Sequence, residues 1–286
     1  MKLGVLVSGN LGKIVLKHLY ARHEIDFVCT DSKSDSIIEF CQANQIAVFA
    51  GNPRNGKAKD FYHDKAIEVL VSVNYLFLIE EDLIAHPSIL AFNIHGSLLP
   101  KYRGRTPHVW AIINNETQTG ITAHLIDSGC DTGDIIEQVI VNIGPKDTGA
   151  MILQKYNEQY IPLIDQVLSD IENNTLKTKK QNNAEATYFG KRSPEDGAID
   201  WNWQKERIYN WVRAQADPYP GAFSQLNGQK ITIDAIQFSP LGFDWEMPNG
   251  LVLSVNPLAI KTPNGVVEIT KYRTFDFEIT VGSILV

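Results

Sequence analysis

Phe92-Asn93-Ile94-His95-Gly96-Ser97-Leu98-Leu99-Pro100-Lys101-Tyr102-Arg103-Gly104-Arg105 follows an apolar run from Ile89 and sets an amide and an imidazole two residues apart. The run reads as a buried strand, and in extended backbone residues i and i+2 project to the same side. Asn93 and His95 are therefore expected to point together from a strand end, a pair able to hold a developing oxyanion and move a proton. Upstream, strand-like and helix-like segments alternate. Leu3 to Val7 reads as a strand, Lys13 to Arg22 as a helix with Ile14, Val15 and Leu19 at helical spacing, and Phe27 to Thr30 as a second strand. Ser36 to Asn44 (helix), Ala47 to Phe49 (strand), Val69 to Val73 (strand), Glu81 to His86 (short helix) and Leu90 to Ile94 (strand) continue the pattern. This alternation predicts an α/β fold with a mostly parallel sheet and helices on both faces. Ile121 to Ile126 and Ile135 to Ile143 are expected to extend one edge in antiparallel fashion, before a long helix from about Thr148 to Ile171.

Residues 173–186 are polar and aperiodic, which marks a linker. The boundary falls inside it, giving domains 1–180 and 181–286. Beyond it come a helix, Trp203 to Ala216, and a region punctuated by Asn-Gly at 227, 249 and 264. Leu226-Asn227-Gly228-Gln229 is a hairpin signal between two apolar runs, so the end of the chain is expected to be a small, barrel-like antiparallel β domain.

With 286 residues, 44% hydrophobic and 21% charged, the chain is ordinary for a soluble globular protein. Met1 to Val7 lacks the features of a secretory leader, and no run approaches the roughly 20 apolar residues of a membrane span, which predicts a cytoplasmic protein without a membrane partner. Three cysteines, Cys29, Cys41 and Cys130, without a Cys-x-x-Cys or Cys/His cluster, are expected to be reduced and buried, with no metal site. A net charge of −7 disfavours nonspecific attraction to nucleic acid. Lys177, Lys179 and Lys180 read as a solvated part of the linker.

Two further motifs carry chemistry. Val7-Ser8-Gly9-Asn10-Leu11-Gly12-Lys13 joins the first strand and helix, but supplies only the last two glycines of Gly-x-Gly-x-x-Gly and lacks a P-loop ending. Free N–H groups at a helix start attract phosphate, so Ser8, Gly9 and Asn10 are candidate anion contacts; Asp31 keeps an NAD-dependent oxidoreductase open as an alternative. Lys101, Arg103 and Arg105 are candidates to grip a phosphate or diphosphate, and Thr106-Pro107 reads as N-cap and first residue of a helix that buries Val109 to Ile113. The loop Ile126-Asp127-Ser128-Gly129-Cys130-Asp131-Thr132-Gly133-Asp134 holds three carboxylates. Asp127 and Asp134 are expected to cap turns; Asp131 is the candidate to sit beside a histidine, fix its tautomer and stabilise its cation.

Asn93-x-His95 with Ser97-Leu-Leu-Pro-Lys-Tyr-Arg-Gly104, followed by Asp131-Thr-Gly-Asp134, resembles the 10-formyltetrahydrofolate-dependent formyltransferases. Thr187-Tyr-Phe-Gly-Lys-Arg-Ser-Pro-Glu-Asp196 and Val212-Arg-Ala-Gln-Ala-Asp-Pro-Tyr-Pro-Gly-Ala-Phe-Ser224 extend the likeness to about residue 235. Gly96 and Arg105-Thr-Pro-His-Val-Trp-Ala111 resemble the sugar N-formyltransferases more than methionyl-tRNA formyltransferase, which stays as the alternative. The resemblance implies a Rossmann-like catalytic domain, 10-formyltetrahydrofolate as formyl donor and a nucleotide-linked amino sugar, such as a dTDP-sugar for O-antigen, as acceptor. It implies Asn93, His95 and Asp131 as catalytic residues and places the pterin near Val73, Tyr75, Leu76, Leu78, Asp127 and Asp131. It leaves Ser8, Gly9, Asn10, Lys101, Arg103, Arg105 and Thr106 for the acceptor. Family members are often homodimers.

Overall fold

The computed structural model describes residues 1–273 and 276–286, and the chain divides into two compact units. The first comprises Met1–Gly104, Gly120–Val141 and Lys155–Tyr188, the second Arg105–Thr119, Asn142–Gln154 and Phe189–Val286. The elements begin with β1 (Lys2–Val7), α1 (Gly9–Tyr20), β2 (Glu24–Thr30), α2 (Asp35–Ala43), β3 (Ala47–Ala50) and α3 (Lys59–Tyr62). They continue with β4 (Val69–Val73), α4 (Glu81–Ile84), β5 (Leu90–His95), β6 (Arg103–Gly104), α5 (Pro107–Ile113), β7 (Gln118–Leu125), β8 (Ile135–Asn142) and α6 (Gly149–Glu172). The last are β9 (Tyr188–Phe189), α7 (Lys205–Ala214), β10 (Ala222–Leu226), β11 (Gln229–Ser239), β12 (Val252–Val255), β13 (Leu258–Thr262) and β14 (Gly265–Tyr272).

Seven strands form one sheet in the order β3-β2-β1-β4-β5-β7-β8. The five strands from β3 to β5 are parallel, and β7 joins β5 antiparallel, as the alternation implies. Parallel strands covered on both faces must be apolar throughout. Accordingly every residue of β4 is buried, as are Leu3, Val5, Leu6 and Val7. α1 turns Gly12, Val15, Leu16 and Leu19 inward. It starts four residues ahead of the apolar pattern, because the only residue its first turn buries is Gly12, which has no side chain to register a period. The strand order reverses between β1 and β4, so their carboxyl ends flank the crevice in which ligands of open α/β sheets bind. There Asn74 Nδ2 donates to the Ser8 carbonyl at 2.9 Å. The four-residue α3, absent from the sequence reading, is too short to show a period; it buries Tyr62 against Phe27.

In the second unit five strands run antiparallel in the order β10-β11-β14-β13-β12. Asn227 and Gly228 both adopt left-handed backbone (φ 53° and 79°), the type I′ geometry expected of Asn-Gly, and pair Leu226 with Gln229. The C-terminal residues bind both sheet edges: Val286 exchanges two bonds with Gln225 beside β10, while Ser283 and Leu285 bond Val252 and Gly250 beside β12. That closure makes the sheet barrel-like and satisfies backbone groups that open edges would leave unpaired.

Two buried histidines link fold to pH. His108 Nε2 lies 2.8 Å from the Tyr219 hydroxyl, and burial pushes the histidine down to about 4 and the tyrosine up to about 12. Burial likewise lowers His124 to about 4. Both are neutral in the folded chain, whereas the unfolded chain takes up protons near 6.5. Their contribution is therefore complete above about pH 6.5 and is lost as pH falls toward 4. Urea midpoints should drop across that window, and His108→Gln should shrink the drop by about 1–3 kcal/mol. An identical pH dependence in the variant would refute the assignment to His108.

Candidate active site

The pairing of β5 with β7 sets Asn93 opposite His124 and His95 opposite Thr122. Directly opposed residues share a face, so the three polar rings and amides project together. The 126–134 loop then returns to them, and Asp131 Oδ1 comes within 3.5 Å of His95 Nδ1 and 3.7 Å of His124 Nε2. Asp131 is left-handed (φ 56°), and the tight return needs Gly133, where a Cβ would meet the Leu125 carbonyl oxygen at 1.8 Å.

Proton positions follow from acceptors that can only accept. His95 Nε2 donates to the Tyr102 carbonyl at 2.8 Å, which leaves the Nδ1 lone pair facing Asp131. His124 Nδ1 donates to the Leu125 carbonyl at 2.8 Å, so its Nε2 accepts from Asn93 Nδ2 at 3.2 Å. One Asn93 N–H is spent on holding the amide; the second is the one that can meet an oxyanion. Burial by itself would raise the Asp131 carboxyl, but His95 and the Gly104 amide at 2.9 Å outweigh it and hold the group below the usual carboxylate range. Asp131 is therefore an anion beside an imidazole whose basic nitrogen is Nδ1.

The loop after His95 is fixed from below. Thr122 Oγ1 donates to the Ser97 carbonyl and accepts from the Leu99 amide, Gln138 Nε2 bonds both Thr122 Oγ1 and the Leu99 carbonyl, and Ser97 Oγ donates to the Lys101 carbonyl.

The sequence candidates fall in several places. Asn93, His95 and Asp131 come together. His124, Tyr102 and Gln181 are additional: His124 is visible in sequence only once β5 and β7 are set in register. Asp31 spends its carboxylate on the Lys33 amide (2.9 Å) and the Ser34 hydroxyl (2.6 Å), which leaves little for the ribose of a dinucleotide. Gly9 (φ 64°) gives its amide to Ser34 Oγ at 2.9 Å, Asn10 is exposed, and Ser8 is buried with its hydroxyl unbonded. Asp127 accepts from the Gly129 amide and the Thr132 hydroxyl, the turn-capping role expected of loop aspartates. Lys101 and Arg105 are exposed. Arg103 corrects a reading: its guanidinium is buried and donates to Gln181, Asn183 and Tyr188, so it is not a free grip for phosphate. Thr106 does precede α5, but its backbone is left-handed and its hydroxyl is buried without a bond, so it does not cap. Cys130 is exposed rather than buried, its thiol 3.5 Å from Asp131.

The residues expected near the pterin differ in exposure. Val73 is wholly buried and offers only backbone, whereas Leu76 and Leu78 are exposed by 42% and 57%. The Tyr75 hydroxyl is buried with no bond, a polar atom left for a ligand, and Tyr75 packs edge-on against Phe77. Tyr75 packs on the core while Leu76 and Leu78 present apolar surface. Among the described residues no group of three or more His, Cys, Asp or Glu could hold a metal ion, and no helix is long and apolar enough to cross a membrane.

A family model described as formyl transferase matches residues 1–168, and one described as formyl transferase, C-terminal domain, matches residues 191–276. The chain belongs to the formyl transferase family. Its fold is similar to that of an N-formyltransferase from Helicobacter canadensis solved with folinic acid and dTDP-3-aminofucose (TM-score 0.70, 23% identity, covering 94% of this chain and 98% of that one). It is also similar to a 4-N formyltransferase from Francisella tularensis (0.67, 22%, 84% and 98%) and to HypX from Aquifex aeolicus with tetrahydrofolic acid (0.61, 18%, 100% and 45%). His124 Nε2 is the acceptor that holds the Asn93 amide in place. His124→Phe, which keeps an aromatic ring but no acceptor, should lower kcat about tenfold with a smaller change in KM; kcat within twofold of wild type would show that Asn93 needs no such anchor.

Proposed function

We propose that the chain is a sugar N-formyltransferase, moving the formyl group of 10-formyltetrahydrofolate to the amine of a nucleotide-linked amino sugar. The acceptor is a dTDP-linked amino-dideoxyhexose destined for lipopolysaccharide O-antigen or a similar cell-surface polysaccharide. The observation that carries this reading is the convergence of Asn93, His95 and Asp131 on one strand end of a formyl transferase fold. Two solved structures of similar fold, bearing dTDP-3-aminofucose or named for 4-N formylation, support a nucleotide-sugar acceptor. Gly96 and the Arg105 to Ala111 segment point the same way. We take residues 1–180 as the catalytic domain and 181–286 as the β-rich C-terminal one, working in the cytoplasm as a homodimer. Lys101 and Arg105 supply positive charge for the diphosphate, with Ser8, Gly9, Asn10 and Thr106 as further acceptor contacts.

When bound, the folate supplies a formyl carbon activated by its attachment to N10. Asn93 donates its second N–H to the formyl oxygen as the acceptor amine adds and negative charge develops there. His95 Nδ1 takes the proton that the new C–N bond makes acidic. Asp131 stabilises the resulting imidazolium, and His95 then returns the proton to N10 as the old C–N bond breaks. The products are a formamide and tetrahydrofolate, so atoms and protons balance. Tyr75, Leu76 and Leu78, with Asp127 and the 126–131 backbone, hold the pterin ring.

Incubation with 10-formyltetrahydrofolate and dTDP-linked 3-amino or 4-amino sugars should yield the formamide, read by mass spectrometry. His95→Asn should cost more than about a hundredfold in kcat while nucleotide-sugar binding persists. Formylation of charged initiator tRNA alone, or near wild-type turnover in the variant, would overturn the reading.

A further inference from the structure

We infer that Gln181 is a positioning residue for Asp131, and that residues 179–188 are a strap locked to the catalytic loop by the buried Arg103. The inference rests on the proposed roles of Asp131 and His95. Gln181 Nε2 donates to the Asp131 carbonyl at 2.9 Å and to the Gly133 carbonyl at 2.7 Å. Its Oε1 accepts from Arg103 Nε at 3.2 Å and from an Arg103 terminal nitrogen at 2.7 Å. A guanidinium only donates and a carbonyl only accepts, so this amide has one permitted orientation and both of its ends are satisfied. Arg103 is fully buried, and its other bonds, to Asn183 Oδ1 and the Tyr188 hydroxyl, also go to the strap. A buried cation is tolerable only when hydrogen-bonded, so the guanidinium holds the strap wherever it holds itself.

The strap is fastened along its length. Lys179 and Ile135 exchange two backbone bonds of 2.8 Å at the end of the catalytic loop. Thr187 accepts the Arg103 amide on its carbonyl at 2.9 Å and the Tyr102 amide on its hydroxyl at 2.8 Å. Tyr102 is the residue whose carbonyl fixes the His95 tautomer, and Asp131 is the carboxylate that faces His95. One polar segment therefore anchors both neighbours of the catalytic imidazole. Asp131 also sits in left-handed backbone, which a non-glycine residue keeps only when its surroundings hold it, and the Gln181 amide grips that very peptide.

Two variants of the full chain test this. Gln181→Glu keeps an acceptor for Arg103 but turns an oxygen against the carbonyls of 131 and 133; Gln181→Met removes all four bonds without charge. In Gln181→Glu, kcat for amino-sugar formylation should fall about tenfold or more, with KM changed less than about threefold and the melting temperature little altered. In an Asp131→Asn background the same change should cost less than about threefold, because it acts through Asp131. Carboxyl-labelled NMR titration, which needs no substrate, should show Asp131 of Gln181→Met moving up toward the ordinary carboxylate range as it leaves His95. An unmoved Asp131 titration together with kcat that tracks only the folded fraction would overturn the inference. Failure of the wild-type chain to formylate any amino sugar would instead overturn the proposed function, leaving the Asp131 titration to decide the role of Gln181.

Discussion

The antiparallel register between β5 and β7 is the constraint on which the site depends. A slip of one residue would turn every side chain of β5 to the other face, separating Asn93 from His124 and pointing His95 into the sheet. The register is held by more than strand bonds. Thr122, opposite His95, ties down the Ser97 to Leu99 backbone, and Gly120 lets β8 approach so closely that a Cβ there would meet the Val139 carbonyl oxygen at 2.1 Å. Core packing and site geometry are thus set by the same residues.

The polar groups at the centre are held by acceptors and donors of fixed sense, a preorganised arrangement of the kind that stabilises developing charge. Backbone carbonyls of Tyr102 and Leu125 assign the protons of His95 and His124; His124 in turn assigns the Asn93 amide. Because burial keeps His124 neutral, its Nε2 stays an acceptor for the Asn93 amide. Asp131 remains anionic for the opposite reason, since the charge and bonds around it outweigh its burial. Both groups are therefore deprotonated, His124 because burial disfavours its cation and Asp131 because its neighbours favour its anion.

Part of this was legible before the fold. Strand and helix order, the Asn-Gly hairpin at 227 and the common face of Asn93 and His95 follow from local period and spacing, which need no knowledge of distant partners, whereas Asp131 joined that pair through the resemblance to the formyltransferases. What sequence could not disclose depends on long-range pairing. His124 looks like any alternating strand residue until β7 lies beside β5. Arg103, in a run with Lys101 and Arg105, reads as surface charge; only the folded strap reveals that it is sealed inside. The polar stretch 173–186 has a linker's composition, yet Gln181 and Asn183 within it satisfy a buried cation, a use that composition does not distinguish from solvation. The closing of the C-terminal sheet by residues 283–286 is invisible for the same reason.

In the proposed reaction Asn93 holds the formyl oxygen while His95 works through Nδ1, facing Asp131. A crystal structure with a dTDP-linked amino sugar and the unreactive 5-formyltetrahydrofolate tests it most directly. The formyl-bearing region should lie within about 3 Å of Asn93 Nδ2 and the acceptor amine within reach of His95 Nδ1, with Nε2 still bonded to Tyr102. An imidazole turned so that Nε2 meets the amine, or an acceptor bound away from Asn93 altogether, would contradict it.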